Sequence, residues 1–185
     1  MGYLKNYDFT NYHLDIYVET GTGIGVTLAK ALPWFQRCYS VDLDKEFTDA
    51  AQKKFPSAVI NNSLSTDALE HWVKNEIDPN NSVFFFLDAH FPGADYRGAK
   101  YDVNAPNAVP LKEELEIIKK YRPNSRDLIV CDDARIYTIS GFENGNVEWL
   151  QVPGGYKFVY DIFPESTIYI DNSEEGYIVI DRRNT

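Results

Sequence analysis

Residues 17–25 read Y-V-E-T-G-T-G-I-G, a short β-prone run followed by three glycines at alternate positions. The glycines allow a tight turn and a close approach of a ligand to the start of the next helix. Because the dinucleotide-binding pattern G-x-G-x-x-G would need glycine where Val26 stands, the loop does not match it. The acid Glu19 precedes the glycines, where a carboxylate repels phosphate and attracts an ammonium group. We therefore expect a ligand with an ammonium group and no phosphates here. The residues concerned are Glu19, Gly21, Gly23 and Gly25.

On both sides of this loop, β-prone runs alternate with helical patterns. The runs are residues 15–18, 38–41, 58–60, 82–87 and 128–131. The continuously apolar character of the fourth run is typical of a strand buried on both faces. Two later runs, residues 167–170 and 177–180, are separated by D-N-S-E-E-G and predict a hairpin. The pattern predicts an α/β fold, a Rossmann-like, doubly wound, mostly parallel seven-stranded sheet with a C-terminal antiparallel hairpin.

Length and composition indicate one domain over residues 1–185, since no repeat or Pro-, Ser- or Gly-rich linker divides the chain. With 18 basic and 28 acidic residues the net charge is −10, which argues against nucleic acid or an anionic membrane as partner. Two cysteines, Cys38 and Cys131, form neither a disulfide framework nor a zinc quartet, and we expect both to be buried. We see no signal peptide or membrane-length apolar run, so we expect a cytoplasmic protein.

A second acid, Asp42, lies at the end of the second strand, where a carboxylate can accept both hydroxyls of a ribose. The sequence resembles class I S-adenosylmethionine-dependent methyltransferases in four segments that span most of residues 16–135. These segments are E-T-G-T-G-I-G (19–25), S-V-D-L-D (40–44), F-F-F-L-D-A-H (84–90) and L-I-V-C-D-D-A-R (128–135). The resemblance implies that S-adenosylmethionine is the cofactor, with Glu19 at its amine and Asp42 at its ribose. It also implies the strand order 3-2-1-4-5-7-6.

The sequence departs from the family pattern after the third strand, where methyltransferases of this class often carry an acid for the adenine amine. Here the strand ends in Asn61, Asn62 and Ser63. We expect Asn62 or Ser63 to meet the adenine edge instead. Ser65 or Thr66 is expected to cap the helix that follows.

Three acids follow the fourth and fifth strands: Asp88, Asp132 and Asp133. In a parallel sheet they converge on one wall of the crevice, and three such carboxylates repel one another unless a cation binds. They resemble the Mg²⁺ ligands of metal-dependent small-molecule O-methyltransferases. Asp88 is thus assigned to the metal, to the cofactor site and to catalysis. The alternative is that these acids only cap loops and helices.

His90, two residues after Asp88, is the natural general base for a hydroxyl of the acceptor. It could equally be a metal ligand or a packed loop histidine. Arg135 could pair with a substrate carboxylate or with Asp132. The long segment 91–109, with Tyr96 and Tyr101, is expected to close over the acceptor as a lid.

The predicted function is methyl transfer from S-adenosylmethionine to a hydroxyl of a small molecule, with Mg²⁺ as the expected cation. A homo-oligomer is compatible with this function, because a partner subunit could help to grip a long acceptor. Two other classes stay open: a non-catalytic module that binds S-adenosylmethionine or a nucleoside, and a Mg²⁺-dependent nucleotide-processing enzyme. The absence of a G-x-x-x-x-G-K-[ST] loop weakens the last.

Overall fold

A computed structural model describes residues 4, 7–90, 105, 108–147 and 151–184. Its strands are β1 (Ile16–Thr20), β2 (Arg37–Asp42), β3 (Val59–Asn62), β4 (Val83–Leu87), β5 (Leu128–Cys131), β6 (Thr167–Asp171) and β7 (Tyr177–Asp181). Its helices are α1 (Val26–Ala31), α2 (Lys45–Lys54), α3 (Ser65–Asn75), α4 (Leu111–Tyr121) and α5 (Lys157–Ile162). Among the described residues, no helix combines the length and the apolar character of a membrane span.

The strands form one sheet in the order β3-β2-β1-β4-β5-β7-β6. Strands β1 to β5 pair in parallel, whereas β7 runs antiparallel to both β5 and β6. The predicted doubly wound sheet, its strand order and its C-terminal hairpin are therefore confirmed.

The register brings the ends of the central strands to one edge of the sheet. Thr20, the last residue of β1, is level with Leu87 in β4. Leu87 in turn is level with Cys131 in β5. The residues that follow are therefore neighbours: the Asp88 N–H donates to the Thr20 carbonyl at 3.0 Å, and the Asp132 N–H donates to the Leu87 carbonyl at 2.9 Å. The strand order reverses between β1 and β4, where open α/β sheets form a ligand crevice.

Two hydrophobic cores cover the two faces of the sheet. Helices α3, α4 and α5 pack on one face, with Trp72 and Leu115 fully buried. Helices α1 and α2 and the N-terminal residues Leu4, Tyr7 and Phe9 pack on the other. The two cysteines lie in opposite cores, both buried and free, as expected for small apolar side chains.

The start of α3 differs from the prediction. The helix begins at Ser65 and its N-cap residue is Leu64, which provides no side-chain hydrogen bond, so the predicted caps Ser65 and Thr66 are wrong. Ser65 is the first residue of the helix and is buried, so it is part of the packed helix instead of its cap. The short helix α5 has no counterpart in the sequence prediction.

Candidate functional site

The glycine loop between β1 and α1 requires glycine at two positions for steric reasons. Gly21 has φ +87°, and a Cβ there would lie 2.3 Å from the Asp88 carbonyl oxygen. Gly25 has φ +71°, and a Cβ there would lie 2.8 Å from the Phe55 ring. Any side chain at Gly21 would therefore push the loop away from β4. The close approach also places the backbone of Asp88 directly beside the loop.

Glu19 lies at the bottom of this loop and is 2% exposed. The Tyr17 hydroxyl donates to its Oε2 at 2.7 Å, and the Ser40 hydroxyl donates to its Oε1 at 2.7 Å. Burial raises the pKa of Glu19 to about 7, and the hydrogen bonds from Ser40 and Tyr17 act in the opposite direction. The side chain is thus a fixed carboxyl group that a cationic ligand would ionise.

Asp42 connects the end of β2 to the glycine loop. Its Oδ2 accepts from the Gly23 N–H at 2.8 Å, and its Oδ1 accepts from the Asp44 N–H at 2.9 Å. Burial raises the pKa of this carboxyl, although the two N–H donors favour its charged form. Each carboxylate oxygen has a second lone pair, which leaves Asp42 able to accept hydroxyl groups from a ligand.

Asn62 and Ser63 stand beside Asp42 at the end of β3. The Asn62 side-chain amide donates to the carbonyls of Asp42 and Leu43 at 3.0 and 2.9 Å. Its Oδ1 is thereby oriented as an acceptor. The Ser63 hydroxyl donates to the Leu64 carbonyl at 3.1 Å.

Three apolar side chains at this end of the crevice were not identified from the sequence. Ile24 lies within the glycine loop and is 49% exposed. Leu43 follows β2 and is 55% exposed, and Leu64 follows β3 and is 38% exposed. Their position directly after the loop and strand ends is the signal that could have identified them. Exposed apolar side chains beside polar groups are typical of the wall of a ligand site.

The acids after β4 and β5 meet at His90. The His90 Nε2 lies 3.2 Å from Asp88 Oδ1, 3.7 Å from Asp132 Oδ2 and 4.0 Å from Asp133 Oδ2. One ligand atom from each of Asp88, His90 and Asp132 lies within 4.8 Å of the other two. We call these three residues the acid–histidine group. Asp132 Oδ1 is buried and has no hydrogen-bond partner among the described residues.

Asp133 lies beside this group but has another partner. Arg135 donates from Nε to Asp133 Oδ1 at 2.8 Å and from its NH2 nitrogen to Oδ2 at 3.2 Å. Asp133 also has φ +52°, a left-handed conformation that is uncommon outside glycine. Of the two alternatives considered for Arg135, the structure thus favours pairing within the chain, with Asp133 instead of Asp132.

The charges of the acid–histidine group are strongly coupled. Burial, and then the charge of Asp132, raise the pKa of Asp88 well above its usual range. Burial opposes a charged His90, but hydrogen bonds and charges from Asp132 and Asp88 outweigh it and raise the pKa of His90. The carboxylates and the imidazole therefore stabilise each other: the acids favour the charged form of His90, and His90 favours the charged form of Asp88.

Glu114 on α4 is a further buried acid that sequence analysis missed. It is 1% exposed. Burial raises its pKa to about 7, although the hydroxyls of Ser65 and Thr20 act to lower it. The signal was present in the helical pattern, since Glu114 stands three residues after Leu111 and directly before Leu115 on the buried face. A carboxyl on an apolar face is the kind of exception that merits a functional explanation.

A cavity of about 330 Å³ lies between the start of α4, the segment after β5 and the start of α5. Its lining includes Lys112, Tyr137, Lys157 and Phe158. The ring centroids of Tyr137 and Phe158 are 5.9 Å apart. The predicted lid residues Tyr96 and Tyr101 lie outside the described residues.

No protein-family model and no curated protein matches the sequence. Solved structures do match in fold. A protein of Corynebacterium glutamicum shares 12% identity at a TM-score of 0.56, over 91% of this chain and 72% of that chain. An rRNA methylase from Streptococcus thermophilus shares 13% identity at a TM-score of 0.51, over 94% of this chain and 91% of that chain.

A spermidine synthase in complex with the transition-state analogue AdoDATO is also similar. It shares 16% identity at a TM-score of 0.54, over 94% of this chain and 57% of that chain. At these identities the likeness establishes the fold alone, a Rossmann-like fold that this chain shares with all three proteins. Acceptor and cofactor must be argued from the residues of this chain.

Proposed function

We propose that this protein transfers the methyl group of S-adenosylmethionine to a hydroxyl of a small molecule. The observation that carries the proposal is the position of two carboxyl groups, Glu19 and Asp42, on either side of the glycine loop. Glu19 is a buried carboxyl at the strand end, and Asp42 holds the Gly23 N–H at 2.8 Å. An ammonium group and a ribose are the complementary partners of such a pair.

The rest of the cofactor can be assigned by the same chemistry. The backbone at Gly21, Gly23 and Gly25 leaves room for the amino-acid part. The oriented Oδ1 of Asn62 suits the adenine amino group, with Ser63 next to it. Ile24, Leu43 and Leu64 would cover the faces of the adenine ring. Asp88, whose carbonyl borders Gly21, would lie next to the methionine part.

The acid–histidine group fits a divalent cation. It offers oxygen and nitrogen ligands without cysteine, and Asp132 Oδ1 is a buried acceptor without a partner among the described residues. Such a set favours Mg²⁺ over softer ions. Asp88 and Asp132 would hold the ion, with Asp133 adjacent, and His90 would act as the base beside them. A bound divalent cation supplies the charge that makes an acceptor hydroxyl more acidic.

His90 would then accept the proton of the acceptor hydroxyl, and Asp88 would orient the His90 ring. With the carboxylates engaged by a cation, the imidazolium would lose the charges that stabilise it, so His90 would be neutral and able to accept a proton. Asp88 Oδ1, 3.2 Å from His90 Nε2, orients the ring. The acceptor oxygen forms the new bond to the methyl carbon while the electron pair of the carbon–sulfur bond returns to sulfur. The products are the methyl ether and S-adenosylhomocysteine, and the proton moves to His90.

The acceptor is proposed to extend into the cavity between α4 and α5. Its volume of about 330 Å³ suits a small molecule. Tyr137 lines this cavity, and its N–H donates to the carbonyl of Ala134 at 3.0 Å, so the cavity begins within one turn of Asp132 and Asp133. The net charge of −10 disfavours a nucleic acid as acceptor.

Affinity for S-adenosylhomocysteine is expected to rise with pH, because only the Glu19 carboxylate pairs with an ammonium group. With a pKa of about 7, the rise is about tenfold per pH unit below neutrality, with a plateau above. Calorimetry from about pH 5.5 to about pH 8.5 measures it, and Glu19→Gln should flatten the profile. The same raised pKa makes the ligand-free protein less stable as the pH rises from 4.5 to about 7. A flat wild-type profile would contradict the role of Glu19.

Removal of divalent ions is expected to abolish methyl transfer and to leave cofactor binding nearly intact. The assay follows label from the S-adenosylmethionine methyl group into a panel of small hydroxyl compounds, with and without excess chelator. Asp132→Asn should reproduce the effect of the chelator, and Asp67→Asn, on an exposed helix start, is the control. Full activity in chelator would reject the cation and leave His90 acting alone. Joint loss of cofactor binding and activity would mean that the acids only shape the crevice.

A further inference from the structure

A chain of buried hydroxyl groups connects the carboxyl of Glu19 to the glycine loop. The Ser40 hydroxyl on β2 donates to Glu19 Oε1 at 2.7 Å, and the Thr22 hydroxyl in the loop lies 2.6 Å from Ser40 Oγ. The other carboxyl oxygen, Oε2, accepts from the Tyr17 hydroxyl at 2.7 Å. All four side chains are buried. The carboxyl is therefore held at both oxygens, by β1 on one side and by β2 and the loop on the other.

The direction of the hydrogen bonds in this chain follows from the number of hydrogens. A serine hydroxyl has one hydrogen to donate, and Ser40 donates it to Glu19. Thr22 is therefore the donor in its contact with Ser40, which accepts on a lone pair. Both hydrogens point towards Glu19, and hydrogen bonds that run in one direction along a chain strengthen one another. The chain thus favours a charged carboxylate at Glu19 over a neutral carboxyl.

The backbone of the glycine loop fixes the position of the Thr22 hydroxyl. The N–H groups of Gly21 and Thr22 donate to the Val41 carbonyl at 2.8 and 3.1 Å, which ties the loop to β2. The Thr22 carbonyl accepts from the Gly25 N–H at 2.9 Å. Because Thr22 is bonded at its N–H, its carbonyl and its hydroxyl, the loop itself holds this hydroxyl against Ser40.

The charges of the described residues around Glu19 do not stabilise its carboxylate. The negative charge of Asp42 on β2 raises the pKa of Glu19. Burial raises the pKa of Tyr17 well above its usual range and that of Cys38 to about 12, so neither is charged near neutral pH. On β4, the residue level with Glu19 is Phe86, which carries no charge. The charged form is favoured by the hydroxyl donors instead.

We propose that Ser40 and Thr22 are positioning residues that hold Glu19 as an ordered carboxylate for the ammonium group of the ligand. The inference rests on the proposed function, which places that ammonium group at Glu19. Ser40 is fully buried and acts through its hydroxyl on Glu19, without touching the ligand. Thr22 acts one step further away, through Ser40. Together they lower the pH above which the site is charged.

The test follows Glu19 in the ligand-free protein by the carbon-13 signal of its carboxyl group, assigned by comparison with Glu19→Gln. We expect the titration midpoint to rise by about one pH unit in Ser40→Ala, and by less in Thr22→Val. Thr22→Ser keeps the hydroxyl and should restore the wild-type midpoint. Ser82→Ala is the matched control and should leave the midpoint unchanged. The Ser82 hydroxyl also donates to a carboxylate, that of Asp15 at 2.8 Å, but at the other end of the sheet.

Binding of S-adenosylhomocysteine to the same variants is measured by calorimetry. With a wild-type pKa of about 7 at Glu19, the raised midpoint predicts a pH-dependent loss of affinity in Ser40→Ala. The loss should be about tenfold at about pH 6 and less than about twofold at about pH 8.5. A side chain that touches the ligand, or that only supports the fold, would lower the affinity by a similar factor at both pH values.

An unchanged carbon-13 midpoint in folded Ser40→Ala would overturn the inference and leave the cofactor proposal standing. An equal loss of affinity at both pH values would overturn it as well. If Ser40→Ala fails to fold, Thr22→Val decides, and an unchanged midpoint there has the same consequence. A wild-type protein that binds no S-adenosylhomocysteine at any pH would instead overturn the proposed function. The carbon-13 titration needs no ligand, so it would still decide whether the two hydroxyls hold the charge of Glu19.

Discussion

Replacing Glu19 by alanine is expected to weaken S-adenosylhomocysteine binding roughly 10- to 150-fold, since a hydrogen-bonded charged partner contributes about 1.5–3 kcal/mol. The carboxyl is 2% exposed and is held by hydrogen bonds from Tyr17 and Ser40, so its position beside the loop is fixed. Asp42→Ala should lose a comparable amount, because it removes the acceptor for the ribose and releases the Gly23 N–H. Calorimetry on the purified variants measures both losses.

Asp49→Ala is the matched control, since Asp49 is an exposed acid on α2 that pairs with Lys45. It should bind S-adenosylhomocysteine as tightly as wild type. Unfolding curves for all three variants separate a lost contact from a lost fold. Unchanged affinity in both Glu19→Ala and Asp42→Ala would reject the cofactor assignment.

The second large effect is a loss of stability. It concerns a buried charged group at the amino ends of the central strands, which are the ends away from the crevice. Asp127, just before β5, accepts from Arg122 Nε at 3.0 Å and from the Val83 N–H at 3.0 Å, and Arg182 lies 3.6 Å away. All three ionic side chains are buried. Asp127→Ala leaves two guanidinium groups in the core without their carboxylate, which should cost about 3–5 kcal/mol. This is a large part of the roughly 5–15 kcal/mol that stabilises a typical domain.

Urea unfolding measures the loss, and Asp161→Ala is the control because Asp161 forms an exposed pair with Lys157 on α5. The control should lose at most about 1 kcal/mol. An Asp127→Ala protein within about 1 kcal/mol of wild type would show that the buried group contributes little net stability. The folded fraction of that variant should still bind S-adenosylhomocysteine, because Asp127 lies away from the crevice.

The sheet was predictable because its information is local. The apolar run of β4, the glycines after β1 and the turn before β7 each determine a strand, a loop or a hairpin by themselves. Parallel pairing then places the residues after β4 and β5 at the same ends of the sheet, so that Asp88, Asp132 and Asp133 could be expected near one another.

What the sequence could not provide were the partners and the burial of individual side chains, which depend on the folded backbone. Ser65 was expected to cap α3, but it is the first residue of that helix and is buried. Arg135 had two candidate partners, and the left-handed backbone of Asp133 brings that neighbouring carboxylate to it instead. Glu114 was overlooked among the exposed acids of α4, although its place on the apolar face of the helix indicates burial.

A crystal structure of the protein soaked with S-adenosylhomocysteine tests the central claim most directly. The account predicts density in the crevice between β1 and β4, with the amino group at Glu19, the ribose hydroxyls at Asp42 and the adenine beside Asn62. The sulfur should point towards Asp88 and His90. An empty crevice at saturating ligand, or a ligand bound away from the glycine loop, would contradict the proposed function.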